Sequence, residues 1–515
     1  MFTKYSIKDI QDSLLLASVF VTGAAVLIIE IIATRILSPY YGNTIYTTSS
    51  VIGIVLAALS LGYYLGGMLS DKYPDYRVFY GIIFISGFLT ILMNVLDSTL
   101  LPLLSVLFSI ALGPLVSSAF LFFIPAFSLG MLSPFAIKLH HITYEEGNKV
   151  GRQSGEVFFW STVGSIVGSL LSGFFLIPYF GINIIVAITG AILSFWGLCG
   201  FFFFHKNRKI LLLMIILFAL ELLFLFFNLS QTSKEFLYEK DGFYEKIRIE
   251  DRQWNGHLTR FLYQDKSWSS AIFLDSNEMA FDYTKYYKLY ILFNKNPKNV
   301  FVIGGGAYSI PKAILSESKE ANVSVSEIEP EYFNLAKKYF GLQDTEKLNN
   351  ITEDGRRILA KDGTQYDAII SDVYYSIFSM PIHFTTKEFF SLAKNRLLEN
   401  GVFIGNFAGS LDQKQPSFIL SEIRTFKEIF PNSYFFAVQS PDSSIPQNII
   451  FLGINGDKKI DFESKDIKNS KDVVIASLPE KNISLDAFNL SSYQEITDNF
   501  SPIEYLVSRD IKKFY

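Results

Sequence analysis

The sequence predicts a multi-span α-helical membrane domain, followed by a small antiparallel β-domain and an α/β domain. The first prediction rests on a succession of apolar stretches that continues to about Leu229. The second rests on short strands with period-two patterning, and the third on strands that alternate with helices. We therefore divide the chain into residues 1–232, 233–290 and 291–515.

Composition narrows the class of protein. A chain of 515 residues is too long for one ordinary domain. A formal net charge of −4 without a basic stripe excludes a nucleic-acid partner. The single cysteine, Cys199, excludes an internal disulfide and a cysteine-based zinc site, and we expect no metal. The first apolar stretch lacks a small-residue cleavage site, so we expect it to stay as an anchor in the lipid bilayer.

Seven stretches are apolar and long enough to cross a bilayer, for which a helix needs about 20 residues. They are Ser13–Leu37, Thr48–Leu69, Val78–Leu96, Val116–Leu139, Phe158–Tyr179, Ile182–Phe204 and Ile210–Leu229. An eighth stretch, Leu100–Leu112, is shorter and is a short span, a re-entrant segment or an interfacial helix. The sequence therefore predicts seven or eight spans.

The number of spans decides which side of the membrane the C-terminal half occupies. Lys4 and Lys8 favour a cytoplasmic N-terminus under the positive-inside rule. Eight spans then place the C-terminal half in the cytoplasm, but Lys149 and the cluster His205–Lys209 face outward. Seven spans place the C-terminal half outside, and Lys149 and the cluster His205–Lys209 then face the cytoplasm. We favour a cytoplasmic C-terminal half because adenosine cosubstrates are made in the cytosol, although the loop charges argue against it.

Polar and small residues interrupt the apolar stretches. Glu30 lies in the first stretch, where an ionised carboxylate is costly. It is either a structural acid, protonated or paired, or a group on a transport or substrate path. Arg35 lies roughly 140° further round the helix, so the two do not directly face each other. The glycines of Ser60–Gly67 and Ser161–Gly173 are spaced for close helix packing.

The C-terminal half contains two kinds of strand pattern. FYEKIRIED, HLTRFLYQD and SSAIFLDS predict a small antiparallel sheet. A strand–helix series follows and predicts a parallel, doubly wound sheet. Its strands are Asn299–Ile303, Asn322–Ser326, Tyr366–Ser371 and Gly401–Phe407, with a weaker one near Asn350–Thr352. SYFFAVQS and QNIIFLGIN are expected to close this sheet as an antiparallel pair.

Glycines and acidic residues follow the successive strands of this Rossmann-like series. They are Gly304, Gly305 and Gly306 after the first strand, Glu327 after the second, Asp354 and Gly355 after the third, and Asp372 after the fourth. Ligands of such sheets bind outside the carboxyl ends of the strands, and a carboxylate about 20 residues after the glycines accepts ribose hydroxyls. The pattern therefore predicts an adenosine-type ligand. Two histidines without a metal-spaced partner, His257 and His383, are expected to be surface or packing residues.

The motifs GGG, EIEP, EDGRRIL and YDAIISD followed by HFTTKEFF resemble the spermidine synthases, or polyamine aminopropyltransferases. TGAAVLIIEIIATRILSPYYG and ITDNFSPIEYLVSR resemble the membrane-fused members of that group. The resemblance implies transfer of an aminopropyl group from decarboxylated S-adenosylmethionine to a polyamine such as putrescine. It implies that Glu327 binds ribose, that Asp354 and Gly355 bind adenine, that the glycine triplet lies beneath the donor, and that Asp372 is the first catalytic aspartate.

The chain departs from the family pattern at acidic positions. Ala307 replaces an aspartate that would bind the donor's amine, Tyr375 replaces the second catalytic aspartate, and Lys285 replaces a pocket glutamate. A tyrosine with an ordinary pKa of about 10 is a poor base, so Asp372 and Tyr375 are both weak catalytic candidates. We expect four tyrosines to line the substrate pocket and to offer their ring faces to a cation. They are Tyr283, Tyr286, Tyr374 and Tyr375.

Three functions follow from these patterns. The first is a membrane-bound aminopropyltransferase acting on a small amine. The second is a methyltransferase, or another transferase with a different acceptor, that uses intact S-adenosylmethionine. The third is a non-catalytic transporter or sensor with a nucleoside-binding domain. The oligomeric state is open between a monomer and a homodimer.

Overall fold

The computed structural model describes residues 7–144, 150–204, 208–230, 236–276, 278–374 and 380–511. These residues form two compact units, Met1–Lys234 and Glu235–Tyr515. Each unit has its own buried core, and each is described by itself below.

The first unit is helical. Its helices are α1 Ile7–Tyr41, α2 Ile45–Lys72, α3 Tyr76–Leu107, α4 Gly113–Leu121, α5 Phe123–Gly130, α6 Leu132–Tyr144, α7 Val150–Leu171, α8 Ile177–Tyr179, α9 Ile182–Phe204 and α10 Arg208–Ser230. A π-helical turn, Ser172–Leu176, joins α7 to α8. Within the described ranges, seven helical segments are long and apolar enough to cross a membrane.

Two predicted stretches differ from the observed helices. Leu100–Leu112 is not a separate span, because α3 continues through its first half to Leu107. The predicted span Val116–Leu139 is broken into α4, α5 and α6, with interruptions at Phe122 and Met131. Hydropathy does not mark these breaks, but Pro125, Gly130 and Pro134 lie next to them and are the sequence signals that the prediction missed.

Glycines allow close contact between pairs of these helices, as their spacing predicts. A Cβ atom at Gly164 would lie 2.1 Å from the Phe20 carbonyl oxygen, so α7 touches the backbone of α1 there. A Cβ atom at Gly62 would lie 2.4 Å from the Phe127 carbonyl oxygen, so α2 touches α5 in the same way. Glu30 and Arg35 are both partly buried on α1, and their roles remain predictions.

The second unit begins with a small antiparallel sheet. Its four strands are β1 Tyr238–Asp241, β2 Lys246–Trp254, β3 His257–Gln264 and β4 Ser267–Phe273, and they pair in that order. The last three confirm the predicted strands. The sequence analysis missed β1, which is only four residues long. A 3₁₀ helix, Tyr283–Leu292, leads from this sheet into the α/β part.

The α/β part is built on a seven-stranded sheet. Its strands are β5 Asn299–Ile303, β6 Asn322–Ser326, β7 Leu348–Ile351, β8 Tyr366–Ser371, β9 Leu397–Gly409, β10 Ser433–Ala437 and β11 Gln447–Ile454. Their order is β10-β11-β9-β8-β5-β6-β7. The pairs β5–β6, β6–β7, β5–β8 and β8–β9 are parallel, whereas β11 is antiparallel to both β9 and β10. The predicted doubly wound sheet and its closing antiparallel pair are therefore confirmed.

Helices cover both faces of this sheet. They are α11 Ser309–Glu317, α12 Tyr332–Tyr339, α13 Gly355–Lys361, α14 Lys387–Asn395, α15 Phe418–Ile429, α16 Lys465–Lys468, α17 Val473–Lys481 and α18 Ile503–Ile511, with short 3₁₀ turns at Ile382–Phe384, Leu485–Ala487 and Leu490–Ser492. Two apolar cores, one on each face, bury β5 and β8 completely. The strand order reverses between β5 and β8, which is where sheets of this kind bind ligands.

Candidate functional site

A cleft of about 800 Å³ lies at the carboxyl ends of these strands. The glycine triplet, Glu327, Asp354, Gly355 and Asp372 all line it. The small sheet contributes the opposite wall through β2, β3 and β4. The cleft is therefore enclosed by both parts of the second unit, and it contains most of the residues that the strand pattern predicts.

The glycine triplet forms the floor of the cleft directly after β5. Gly304 and Gly306 have φ angles of 88° and 50°, which residues with a side chain rarely adopt. A Cβ atom at Gly304 would lie 2.3 Å from the Asp372 carbonyl oxygen, and one at Gly306 would lie 2.6 Å from the Ser270 Oγ. The backbone of this turn therefore passes too close to its neighbours for any side chain.

Glu327 is fixed beside the glycine turn by backbone donors. The N–H groups of Gly305 and Gly306 donate to its Oε2 at 2.7 and 3.1 Å, and the Glu329 N–H donates to its Oε1 at 2.9 Å. Burial raises the pKa of Glu327, while these N–H donors act to lower it. A carboxylate has about four lone-pair sites, so this side chain retains capacity to accept ribose hydroxyls.

Asp354 lies at the start of α13 and caps it. Its Oδ1 accepts the Arg357 N–H at 3.0 Å, and its Oδ2 is 2.7 Å from the His383 Nε2. Burial acts to raise the pKa of Asp354, but the hydrogen bond with His383 and the backbone donors outweigh it and lower the pKa. His383 is therefore part of the surroundings of the site, and its interpretation as a mere surface or packing residue was incomplete.

Asp372 follows β8 and faces the cleft. The Asn406 Nδ2 donates to its Oδ1 at 3.0 Å, and Tyr283 also hydrogen-bonds the carboxyl group. Burial raises the pKa of Asp372, and these two hydrogen bonds act to lower it. A carboxyl group with a raised pKa is better matched to accepting a proton near neutral pH than an ordinary aspartate.

The four tyrosines assigned to the pocket occupy different places. Tyr283 and Tyr374 line the cleft. Tyr286 does not line this cleft: it is 3% exposed, packs in the core and borders a small adjoining pocket with Tyr283 and Asp372, so its role in substrate binding stays a prediction. The 3₁₀ geometry of this segment turns neighbouring residues in different directions. Tyr375 lies outside the described residues, and its catalytic assignment stays a prediction from the sequence.

The altered residues after the glycine triplet are buried. Ala307 is 2% exposed and packs in the core, so no acidic side chain approaches the cleft from this position. Tyr308 adopts a φ of 58°, where the family pattern has glycine. Its ring is fully buried against Phe333, and its hydroxyl donates to Asn350. Packing and this hydrogen bond hold a conformation that tyrosine alone disfavours.

Several cleft residues were missed because they come from distant parts of the chain. The small sheet provides Glu245, Gln264, Trp254 and Trp268, and β9 provides Asn406. Glu245 is buried, and its Oε1 accepts from the Gln264 Nε2 at 2.7 Å. Burial raises its pKa to about 8. Asn406 had a signal, since it is a polar residue inside the apolar strand GVFIGNFAG, whereas Glu245 had none.

The strand order and the cleft define a Rossmann-like α/β domain with a ligand cleft at the point where the strand order reverses. Comparison with known families agrees: residues 287–464 match the model of the spermine/spermidine synthase domain. The chain is spermidine synthase-like.

Individual relatives match part of the chain. The polyamine aminopropyltransferase of Vibrio vulnificus is 27% identical over 151 residues, which are 29% of this chain and 48% of the relative. That of Bacillus cytotoxicus is 26% identical over 170 residues, which are 32% of this chain and 60% of the relative. The chain thus spans about half the length of these relatives. The structure of a probable spermidine synthase from Corynebacterium glutamicum has 18% identity and a TM-score of 0.43, and covers 51% of this chain and 97% of that one.

Proposed function

We propose that this protein is a membrane-bound aminopropyltransferase that uses decarboxylated S-adenosylmethionine. The observation that carries this proposal is the joint position of Glu327 and Asp372 in one cleft at the switch point between β5 and β8. In this proposal Glu327 holds the ribose and Asp372 accepts a proton beside it. The synthase-domain match over residues 287–464 supports the same reaction.

The proposed chemistry needs positioning and one base. When bound, the donor supplies a methylene carbon that is activated by the neighbouring sulfonium. The lone pair of the acceptor amine forms the new C–N bond, the C–S bond breaks, and its electron pair stays on sulfur as a neutral thioether. The Asp372 carboxylate takes the proton that the amine loses. Asn406 and Tyr283 hold this carboxylate in place, and the glycine turn fixes the donor's distance from it.

A second candidate is transfer from intact S-adenosylmethionine. Ala307 favours it, because this buried residue provides no carboxylate to bind the amine of the decarboxylated donor. Calorimetry on the full-length protein in nanodiscs, with both molecules, separates the two. Tighter binding of the decarboxylated form, together with an aminopropylated amine detected by mass spectrometry, supports our proposal, and preference for the carboxylated form contradicts it. Binding of one of the molecules without any transfer would favour the transporter or sensor function, and binding of neither would contradict the adenosine site itself.

We place the chain in the cell membrane as a multi-pass protein with its C-terminal unit in the cytoplasm, where the donor is made. Support comes from the seven long apolar helices. Seven crossings then put the N-terminus outside, and Lys72 and Arg77 face outward against the positive-inside rule. Reporter fusions at Lys8 and after Phe227 test this placement. A cytoplasmic reporter at Lys8 and an external one after Phe227 would contradict it.

A further inference from the structure

An aromatic surface extends from Asp372 along the wall that the small sheet contributes to the cleft. Tyr283, which contacts Asp372, stacks on Phe281 with ring centroids 5.8 Å apart. Phe281 contacts Trp254 at 5.8 Å, and Trp254 contacts Trp268 at 6.2 Å. All four rings line the cleft. This aromatic wall, defined by Tyr283, Phe281, Trp254 and Trp268, is therefore continuous with the proposed base.

Two basic side chains, Arg252 and Lys266, lie close to this aromatic wall. The Arg252 guanidinium lies over the ring of Trp268, 5.2 Å from its centroid. Lys266 also lines the cleft, and burial lowers the pKa of its amine. A ring face that contacts one guanidinium offers less to a second cation, and nearby positive charges repel an ammonium group. The aromatic wall is therefore unsuited to the cationic end of a polyamine.

The carboxylates of the cleft lie elsewhere or are already paired. Glu327 lies beside the glycine turn, and burial and then the nearby charge of Glu327 raise the pKa of Glu245. Asp282 binds the Lys285 ammonium at 2.8 Å, and this lysine stands where the family pattern has a glutamate. Glu353 is held at 2.8 Å by both Arg357 and Lys361.

The side chains that hydrogen-bond the Asp372 carboxyl group are uncharged. They are Asn406 and Tyr283. Asn406 in turn accepts a hydrogen bond from the Asn448 Nδ2 at 2.9 Å. Within the described part of the cleft, this end offers neutral amides, hydroxyls and aromatic rings around a single carboxyl group. It can receive one amine, and the carboxylate that lies beside the aromatic wall, Asp282, is already paired with Lys285.

We propose that the acceptor is a primary monoamine with an apolar alkyl or aryl body, and that this body lies on the aromatic wall while its amine meets Asp372. This inference rests on the proposed function and specifies its acceptor. An apolar body gains free energy by leaving water for such a surface. The second ammonium of a diamine would lose its hydration there without an anion to replace it.

Acceptor preference tests this proposal on the full-length protein in nanodiscs. Butylamine, hexylamine and phenethylamine are compared with putrescine, using decarboxylated S-adenosylmethionine and mass spectrometry of the products. We expect kcat/KM for hexylamine to exceed that for putrescine at least tenfold. A tenfold preference for putrescine over butylamine overturns the inference while leaving the proposed function intact.

Binding gives a readout that does not depend on turnover. The tryptophan fluorescence of Trp254 and Trp268 should change on titration with hexylamine and respond about tenfold more weakly to putrescine. If no amine is aminopropylated but this order of affinities holds, the acceptor class stands and the proposed function falls. If putrescine binds more tightly, the acceptor class falls.

Substitutions test whether the aromatic wall causes the preference for hexylamine over putrescine. Trp268→Ala should weaken hexylamine binding at least fivefold. Leu274→Ala removes an exposed apolar side chain next to β4 that does not line the cleft, and it should leave binding within twofold. Phe281→Asp supplies the missing anion and should shift the preference at least tenfold towards putrescine. Equal effects of Trp268→Ala and Leu274→Ala, or an unchanged preference in Phe281→Asp, overturn the inference.

Discussion

The two ends of the cleft are held in place by different kinds of group. We call the end at the glycine turn the donor end and the end at Asp372 the acceptor end. At the donor end, the glycine turn and Glu327 are connected by backbone N–H groups, which no side-chain substitution removes directly. At the acceptor end, Asp372 is held by the side chains of Asn406 and Tyr283. The donor end therefore depends on one carboxylate that the main chain holds, whereas the acceptor end depends on side chains that hold one another. This difference explains how a fold can keep one ligand while its reaction partner changes.

The largest expected effect is at the acceptor end. Asp372→Asn removes the only carboxyl group that we assign as a base, so aminopropyl transfer should fall by about 10²–10⁴-fold. Single-turnover measurements at saturating donor check this. Donor affinity should stay within twofold in the same variant. Transfer that remains within tenfold of the natural protein would show that Asp372 is not the base.

At the donor end, Glu327→Gln should weaken binding of the adenosyl donor by about 1.5–3 kcal/mol, because it removes a charged hydrogen-bond acceptor. Calorimetry measures this directly. Glu320→Gln, the same change at an exposed position, is the matched control and should have no effect. Equal donor affinity in both variants would contradict the assignment of Glu327 to the ribose.

A buried carboxyl group near the acceptor end, that of Glu422, tests how much an unpaired acid lowers the free energy of unfolding. Glu422 on α15 is fully buried, and neither carboxyl oxygen has a hydrogen-bond partner among the described residues. Burial raises its pKa well above the ordinary value, so the folded state binds a proton that the unfolded state releases above about pH 4.3. Stability is therefore lost as pH rises above that value.

Glu422→Leu removes this cost and should stabilise the protein by about 1–3 kcal/mol at pH 7.5. The gain should be smaller at about pH 3.5, where the carboxyl group is protonated in both states. Denaturant unfolding of the full chain at the two pH values measures it. A variant that is less stable than the natural protein at pH 7.5 would mean that Glu422 has a favourable interaction in the fold.

The smallest expected effect distinguishes two tyrosines. Tyr283→Phe removes a hydrogen bond that lowers the pKa of Asp372, so that pKa should rise further. The loss of transfer on acidification should then begin at higher pH, with a decrease of a few-fold near neutrality. Tyr286→Phe, three residues away in the core, is the control and should keep the natural pH profile. Identical profiles for both variants would remove Tyr283 from the acceptor end.

The predictable parts of the molecule are those with local signals. The strands β5, β6 and β8 were predicted at their observed limits, because each is a short apolar run ended by glycine or an acidic residue. The donor end was predicted for the same reason, since each residue follows its strand directly. The aromatic wall and Glu245 were not predictable, because the small sheet reaches the cleft through tertiary packing.

Errors arose where the local pattern is uniform or ambiguous. The breaks at Phe122 and Met131 lie within apolar sequence, so hydropathy cannot mark them. A run of tyrosines does not reveal which of them faces a ligand, and of the four only Tyr283 and Tyr374 are found in the lining of the cleft among the described residues.

Gly304 links the two ends of the cleft mechanically. Its N–H donates to the Ser326 carbonyl oxygen at 2.9 Å, while the Asp372 N–H donates to the Ile303 carbonyl oxygen at 3.0 Å. Any side chain at Gly304 would press on Asp372 at 2.3 Å and push β8 away from β5. The close contact at Gly304 thus sets the distance between the bound nucleoside and the Asp372 carboxyl group. A substitution at Gly304 would change this distance while every reacting group stays in place.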